Sequence, residues 1–290
     1  MSQLKIDRRQ FIKLSAAVAA TGSRSVFAAP PTDRIKLAVK YSMIQGRMSV
    51  LEKFRMLKRS GFHGTEFKLK DKPQQKEILQ AIDETGIVAH GVIHGDSDEY
   101  TEAIDFCKQL GGTSVLIVAR ERKDLSYAEN FRLAQQFVRK AIGHAEKNNV
   151  RLLVENVRAG FLKKAEETAR FIDELNSPVA GAYFDTGNAI TWTRQSAEHW
   201  VRVLGKRIVK MDIKDRGHTE FGDPKTKRAG VVGTHGGEVN WAAVQRELRQ
   251  LKFTGWATAE VKGGDAKRIH RMGAWMNEVL FAKESKTCEF

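Results

Sequence analysis

Short apolar stretches and amphipathic stretches alternate strictly along this chain between residues 35 and 281. Eight of the apolar stretches have the length of β-strands, and each is followed by a segment with the apolar periodicity of an α-helix. Strands that alternate with helices form βαβ units and therefore a parallel sheet. Eight such units in about 250 residues predict an α/β fold consisting of a single (β/α)8 TIM barrel.

The apolar pattern also sets the expected boundaries of the elements. The predicted strands are Ile35–Lys40, Thr65–Lys68, Ile87–Ile93, Ser114–Val118, Arg151–Glu155, Val179–Phe184, Arg207–Ile213 and Gly255–Val261. The predicted helices are Met48–Ser60, Pro73 to Thr85 with the proline at its start, Ser97–Leu110 with the serine as its N-cap, Ser126–Asn149, Lys164–Leu175, Ser196–Leu204, Trp241–Leu251 and Asp265–Phe281. An open doubly wound sheet is disfavoured because no Gly-x-Gly-x-x-Gly motif follows the first strand.

The N-terminus has the pattern of an export signal. Arg8 and Arg9 precede Phe-Ile-Lys, a short apolar segment follows, and small residues end at Ala28 and Ala29. The paired arginines resemble the twin-arginine signal of bacteria. We therefore predict a twin-arginine signal peptide over residues 1–28 and a barrel domain over residues 29–290. The resemblance implies a periplasmic protein with no stable membrane anchor after cleavage.

The composition limits the possible partners. The chain has 49 Lys and Arg against 35 Asp and Glu, a net charge of +14, which raises nucleic acid or an anionic surface as a partner. No dense basic run or basic-aromatic stripe occurs, so we predict scattered surface charge and no nucleic-acid partner. The two cysteines exclude a cysteine zinc cluster, and a Cys107–Cys288 disulfide is the less favoured alternative.

Acidic residues lie at the ends of four consecutive predicted strands. They are Glu155, Asp185, Asp212 and Glu260. Active sites of such barrels lie at the carboxyl ends of the strands, and the period-two phase points Asp212 and Glu260 toward the barrel axis. Four converging carboxylates repel one another, and a divalent cation would remove that cost. The alternative is that each acid is solvated or paired with Lys210, Lys214 or Lys262.

The motifs around these acids carry a family resemblance. Leu-Val-Glu-Asn, Phe-Asp-Thr-Gly-Asn, Ile-Lys-Asp and Ala-Glu-Val follow in this order. They resemble the xylose-isomerase-like TIM-barrel superfamily of sugar phosphate isomerases and epimerases. The resemblance implies a divalent metal held by Glu155, Asp185, Glu260 and a histidine, where this chain has Asp212. A histidine that often follows the strand-six aspartate is replaced by Asn188. A carboxylate in place of imidazole favours Mg²⁺ or Mn²⁺ over Zn²⁺ or Co²⁺.

The same resemblance implies a reaction. Glu155 and Glu260 correspond to the glutamates that move a proton next to the carbonyl of a carbohydrate. Elimination from the same intermediate would make the protein a lyase on 3-keto-glycosides, and export favours an unphosphorylated small-molecule substrate. Two further alternatives are a carbohydrate-binding barrel without activity and a nuclease like endonuclease IV. The second is disfavoured because strands six and seven lack histidine.

Several other side chains are candidates for substrate contact. These are His94, Lys214, Arg216 and Trp192, with His218 and His235 on the long loop after strand seven as weaker candidates. Glu66 is expected to pair with Lys40 or Lys68, and Trp241 to pack within its helix. The remaining histidines, His63, His90, His144, His199 and His270, are interpreted as structural. The oligomeric state is not predicted.

Overall fold

The protein forms a closed barrel of eight parallel strands. The computed structural model describes residues 35–216 and 237–281. The strands are β1 Ile35–Lys40, β2 Gly64–Lys68, β3 Val88–Ile93, β4 Ser114–Ile117, β5 Arg151–Glu155, β6 Ala180–Asp185, β7 Ile208–Ile213 and β8 Gly255–Ala259. They pair in sequence order, and β8 pairs with β1 to close the ring. The predicted (β/α)8 barrel is confirmed.

Eight long helices surround the barrel in the described part of the chain. They are α1 Val50–Arg59, α2 Gln75–Thr85, α3 Thr101–Gln109, α4 Tyr127–Asn148, α5 Ala165–Leu175, α6 Ala197–Leu204, α7 Trp241–Leu251 and α8 Ala266–Phe281. A short helical segment, Thr186–Asn188 followed by Ala189–Thr193, continues directly from β6. None of the helices among the described residues is long and apolar enough to cross a membrane.

Local sequence signals determine where the helices begin and end. Ser49 and Glu52 form a capping box at the start of α1, in which the serine hydroxyl accepts from the Glu52 N–H and the Glu52 carboxylate accepts from the Ser49 N–H. At the C-terminal end of α4, Asn149 adopts the left-handed conformation at φ 54°. Gly86 does the same after α2 at φ 73°. Such residues stop a helix, so the chain turns back into the next strand.

The structure corrects three predicted boundaries. Ser97 does not cap α3, because its hydroxyl accepts from the Glu99 N–H within a turn and the helix begins later, at Thr101. Pro73 does not open α2, because it lies inside a 3₁₀ turn, Leu69–Gln74, that precedes the helix. Strand β8 ends two residues earlier than predicted, at Ala259. The last correction leaves Glu260 just beyond the strand, at the mouth of the barrel.

The barrel interior is divided into an apolar and a polar side. The apolar side is formed by side chains of β4, β5 and β6 and of the residue that follows β4. They are Leu116, Val118, Leu153 and Tyr183. The rest of the interior contains buried polar side chains, among them Lys40, Glu66, His90, Lys210 and Thr258. Buried charges are costly unless they are paired, so the polar side must contain its own counter-charges. The predicted site lies on this polar side, at the carboxyl ends of the strands.

Candidate active site

Strand register brings the predicted acids to one end of the barrel. In the β6–β7 ladder Asp185 lies directly beside Asp212, and in the β7–β8 ladder Asp212 lies beside Thr258. Glu260 follows two residues after Thr258, on the same face of the chain. Glu155 is the last residue of β5, next to β6. The carboxyl ends of four adjacent strands therefore supply one carboxylate each.

The four carboxylates converge on a single point. Each offers one oxygen atom, and these four oxygens all lie within 4.8 Å of one another. The side chains of Asp185 and Asp212 are completely buried, whereas 28% of the Glu260 side chain is exposed. The aspartates thus form the floor of the site, and Glu260 lies where a molecule entering the barrel can reach it.

Two lysines supply positive charge to this cluster. The Lys40 ammonium group lies 2.7 Å from Asp212 Oδ2 and 2.6 Å from Glu260 Oε1. The Lys214 ammonium group lies 2.8 Å from Glu260 Oε2 and 3.0 Å from Asp185 Oδ2. Both oxygens of Glu260 are therefore in contact with a lysine. Lys214 is thus paired with acids, as the alternative for these carboxylates predicts, and its predicted contact with substrate stays a prediction.

Asn188 connects the cluster to the rim of the barrel. Its backbone N–H donates to Asp185 Oδ1 at 2.6 Å, and its side-chain amide donates to Glu155 Oε1 at 3.2 Å. The same side chain accepts at Oδ1 from the indole N–H of Trp192, at 3.1 Å. Asn188 therefore fixes two carboxylates and an aromatic ring at once. It stands where the family pattern often has a histidine, and its role here is to orient neighbouring groups.

The environment moves the pKa values of the two glutamates in opposite directions. Burial, and then the nearby Glu260 charge, raise the pKa of Glu155 from 4.5 to about 8. Burial also acts on Glu260, but Lys40 and Lys214 outweigh it and hold the pKa of Glu260 far below its ordinary value. The surroundings therefore favour the protonated form of Glu155 and the ionised form of Glu260.

The aspartates are affected in the same direction as Glu155. Burial raises the pKa of Asp185 to about 7, and the Lys214 charge opposes this increase. Burial also raises the pKa of Asp212 well above its ordinary range, against the attraction of Lys40. Two lysines therefore do not fully compensate four carboxylates. A further positive charge would stabilise the ionised form of these carboxylates.

The donor set fits a divalent cation. Among the described residues, Asp212 Oδ1 is buried without a hydrogen-bond partner, and Asp185 Oδ2 has an ion pair with Lys214 but no hydrogen bond. Oxygens on opposite sides of Mg²⁺ lie about 4.2 Å apart, so a spread of up to 4.8 Å needs only a small contraction. All four donors are carboxylate oxygens, which hard cations such as Mg²⁺ and Mn²⁺ prefer. Glu155, Asp185, Asp212 and Glu260 are the residues that would hold the ion.

The other predicted substrate contacts lie at different distances from this centre. Trp192 is connected to it through Asn188, and the Arg158 guanidinium lies 5.3 Å from the centre of the Trp192 ring. His94 forms its hydrogen bonds within its own loop, to Ser97 and to the carbonyl of Glu99. Nothing in the described residues joins His94 to the carboxylates. His218 and His235 lie outside the described residues.

Arg216 borders a separate cavity on the flank of the site. The cavity has a volume of about 570 Å³, and its walls are Ile190, Thr191, Arg194, Gln195, Ser196 and Arg216. Arg216 donates to the carbonyl of Ile190 and lies 3.4 Å from a carboxylate oxygen of Glu238. None of the four clustered carboxylates borders this cavity. Arg216 is thus placed beside the barrel mouth rather than among the acids.

Lys40 is the functional residue that sequence reasoning missed. The sequence predicts Lys40 only as a partner for Glu66, and the structure corrects that prediction, since no ion pair joins Glu66 to Lys40 or to Lys68 among the described residues. Instead Glu66 lies 3.6 Å from His90 Nδ1. A signal was present, because Lys40 is the last residue of β1 and strand ends were the criterion applied to the acids.

A second polar layer lies below the carboxylates. Lys210 donates to the ring of His90 at 3.0 Å instead of pairing with Asp212, which was one of the alternatives for that acid. His90 stacks on Trp256 with ring centres 4.4 Å apart, and burial lowers its pKa well below the ordinary value. His90 was interpreted as structural, and its neutral, stacked ring fits that interpretation. The predicted packing of Trp241 also agrees with the structure, in which it is buried.

Comparison with known proteins agrees with this architecture. A family model for the xylose isomerase-like TIM barrel matches residues 54–284. This chain belongs to the xylose isomerase-like TIM barrel family. The match extends from α1 through α8 and includes every strand that carries one of the clustered carboxylates. The resemblance inferred from the motifs at the strand ends is therefore confirmed.

Solved structures that share the fold of this xylose isomerase-like TIM barrel include two sugar epimerases. The 3-keto-D-glucoside 4-epimerase YcjR from E. coli has a TM-score of 0.69 at 15% identity and covers 84% of this chain and 99% of its own. A D-allulose 3-epimerase from Methylomonas sp., solved with D-allulose, has a TM-score of 0.63 at 18% identity and covers 79% and 84%. The IolI protein, solved with a zinc atom, has a TM-score of 0.68 at 13% identity and covers 84% and 98%. No curated protein sequence matches the chain.

Proposed function

We propose that this protein is an exported isomerase or epimerase that moves a proton next to the carbonyl group of an unphosphorylated carbohydrate. The observation that supports this proposal best is the pair Glu155 and Glu260. The two glutamates belong to one carboxylate cluster, yet one has a raised pKa and the other a lowered pKa. Titratable groups whose pKa values are pushed apart are typical of an acid and a base that act together.

The roles follow from the positions of the two glutamates in the cluster. Glu260 is partly exposed at the mouth of the barrel, so it is the base that removes the proton from the carbon next to the carbonyl. Glu155 reaches the same cluster from β5, so in its protonated form it returns a proton to that carbon from another direction. After one turnover Glu260 carries the proton and Glu155 has lost one, and exchange with water restores the starting state.

A divalent cation, Mg²⁺ or Mn²⁺ for this donor set, would polarise the carbonyl and its neighbouring hydroxyl when bound. Asp185 and Asp212 are the buried carboxylates that would hold it from the barrel interior, and Asp212 Oδ1 has no hydrogen-bond partner among the described residues. Lys214 is placed to stabilise negative charge that develops next to Glu260. Trp192, positioned by Asn188, offers an apolar face for a sugar ring at the rim.

A second candidate reaction starts with the same proton removal. In some substrates the carbon that follows the deprotonated carbon carries a glycosidic oxygen. Loss of that oxygen with its substituent is an elimination, and the protein would then be a 3-keto-glycoside lyase. The similarity in fold to a 3-keto-D-glucoside 4-epimerase that covers 99% of that protein supports testing keto-glycosides as substrates. Location in the periplasm, proposed from the N-terminal sequence, favours such unphosphorylated compounds.

Hydrogen exchange tests the proposal directly. The purified protein with Mn²⁺ is incubated in deuterated water with D-allulose, D-fructose and a 3-keto-glucoside, and label at the carbon next to the carbonyl is followed by NMR. We expect exchange in the wild type and a decrease in kcat by a factor of about 10²–10⁴ in Glu260→Gln. Glu84→Gln, which changes an exposed glutamate of α2, serves as the matched control and should react normally.

The outcomes separate the alternatives. Label at an inverted centre identifies an epimerase, label with migration of the carbonyl identifies an isomerase, and release of the substituent identifies a lyase. Sugar binding without any exchange, together with no difference between wild type and Glu260→Gln, would contradict the proposal. It would instead support a carbohydrate-binding barrel without activity.

A further inference from the structure

Lys40 is a buried cation that lies between two of the four carboxylates. Only 6% of its side chain is exposed, and its ammonium group is in contact with Asp212 at 2.7 Å and with Glu260 at 2.6 Å. The residue comes from β1, whereas the carboxylates come from β5 to β8, so the barrel itself brings the charge to the cluster. An isolated charge at this depth is costly, which means that Lys40 and its partners depend on each other.

Lys40 contacts only one oxygen atom of each of its two partners. Lys40 contacts Oδ2 of Asp212, whereas Oδ1 is buried and receives no hydrogen bond from the part of the chain that the structure describes. Lys40 contacts Oε1 of Glu260, and Lys214 contacts Oε2. The lysine therefore does not saturate the carboxylates. It neutralises them from one side, and on the other side Asp212 Oδ1 has no partner among the described residues whereas Glu260 Oε2 contacts Lys214.

The net charge of the cluster determines how strongly it attracts a divalent ion. When all six groups are ionised, four carboxylates and two lysines carry −4 and +2, a net charge of −2. Without Lys40 the net charge would be −3. A nearby positive charge weakens the binding of a second cation, and inside a protein this effect is larger than in water.

We propose that Lys40 is a built-in counter-cation that stabilises the metal-free site and competes electrostatically with a divalent ion for Asp212 and Glu260. This inference rests on the metal-binding part of the proposed function. In this role Lys40 is a positioning residue, because it acts on the site through the two carboxylates. The charge of Lys40 therefore limits how tightly the four carboxylates bind a divalent ion.

Titration with Mn²⁺ tests the proposal without any substrate. Binding is measured by calorimetry or by the spin-resonance signal of free Mn²⁺, for the wild type and for Lys40→Met, Lys40→Arg and Lys36→Met. Lys36 lies on the same strand but is exposed, and its ammonium group lies over Trp256 at 5.5 Å. We expect Lys40→Met to bind Mn²⁺ about tenfold more tightly or better. Lys40→Arg, which keeps the charge, and Lys36→Met should bind like the wild type.

The possible results distinguish this inference from the proposed function. If the wild type does not bind Mn²⁺ but Lys40→Met does, the role of Lys40 is supported. The proposal that the wild-type enzyme depends on a metal is then contradicted. If the wild type binds and Lys40→Met binds equally or more weakly, the inference is overturned and the metal site stands. Absence of binding by both proteins also overturns the inference.

Folding of the variant has its own control. Lys40→Met leaves the buried Asp212 carboxylate without its partner, so its metal-free melting temperature should fall, and Mn²⁺ should raise it by more than in the wild type. The double variant Lys40→Met/Asp212→Asn removes both charges of the pair, and its metal-free form should melt above Lys40→Met. If the double variant is no more stable than Lys40→Met, neutralisation of Asp212 is not the role of Lys40.

Discussion

The side chain of Lys214 crosses directly over Gly187. A Cβ atom at residue 187 would lie 2.7 Å from Lys214 Cγ and 3.2 Å from its backbone carbonyl carbon. The missing side chain therefore gives Lys214 its path from the end of β7 to Asp185 and Glu260. In the Phe-Asp-Thr-Gly-Asn motif, the glycine is thus required by the lysine that follows β7 rather than by its own backbone angles.

Replacement of this glycine should disturb the site. Gly187→Ala forces Lys214 away from the carboxylates, and we expect a loss of about 1–3 kcal/mol in the free energy of unfolding together with a lower kcat. Urea unfolding and steady-state kinetics measure the two effects. Gly143→Ala is the matched control, because residue 143 lies within α4 with open space around it, and it should be neutral or stabilising. Equal behaviour of the two variants would show that the crossing has no consequence.

Stability should depend on pH through Glu155. Its pKa is raised from 4.5 to about 8, so the unfolded chain loses its proton at lower pH than the folded protein does. The stabilisation is complete below pH 4.5 and is lost as the pH rises through about 8, which costs the metal-free protein on the order of a few kcal/mol. Asp185, with a pKa raised to about 7, adds to this loss in the same direction.

Chemical unfolding of the chelator-treated protein at several pH values measures this dependence. Glu155→Gln cannot ionise, so its free energy of unfolding should decrease less between pH 5 and pH 8 than that of the wild type. Mn²⁺ favours the ionised carboxylates and should flatten or reverse the decrease. An identical pH dependence in the wild type and in Glu155→Gln would show that Glu155 ionises normally in the folded protein.

The carboxylate cluster was predictable because it depends on local rules. The period-two phase of β7 correctly turned Asp212 inward, and the rule that barrel sites lie at strand ends selected all four acids. The register of parallel strands then required them to meet. A boundary error of two residues at β8 did not matter, since Glu260 stays on the same face of the chain.

The charge balance was not predictable in the same way. Lys40 and Asp212 are 172 residues apart, and no local pattern states which lysine reaches which acid. Both Lys40 and Lys210 are inward-facing lysines, yet one contacts the carboxylates and the other contacts His90 a layer below. The difference arises from the depth of each residue along its strand and from the stagger between strands. These quantities belong to the closed barrel rather than to any single segment.

Asp212 offers a test of metal preference. Asp212→His replaces a hard oxygen donor with imidazole, so bound metal should shift from Mg²⁺ or Mn²⁺ toward Zn²⁺ or Co²⁺. Asp212→Ala removes the donor and should lower the affinity for every divalent ion. Competition titrations followed by elemental analysis measure both effects, with Asp173→Ala, which breaks a surface ion pair with Arg207, as control. The same metal content in all three variants would place Asp212 outside the ligand set.

The N-terminal sequence leads to a prediction that does not depend on the barrel. We propose that Arg8 and Arg9 are the pair of a twin-arginine signal, in which case residues 1–28 should be removed after transport. Changing both arginines to lysine keeps the charge but removes the pair, so precursor should accumulate in the cytoplasm of a bacterial host with this pathway. Arg24→Lys, which lies within the signal but outside the pair, should be exported normally. Fractionation and immunoblotting measure both forms, and normal processing of the double variant would rule out the twin-arginine route.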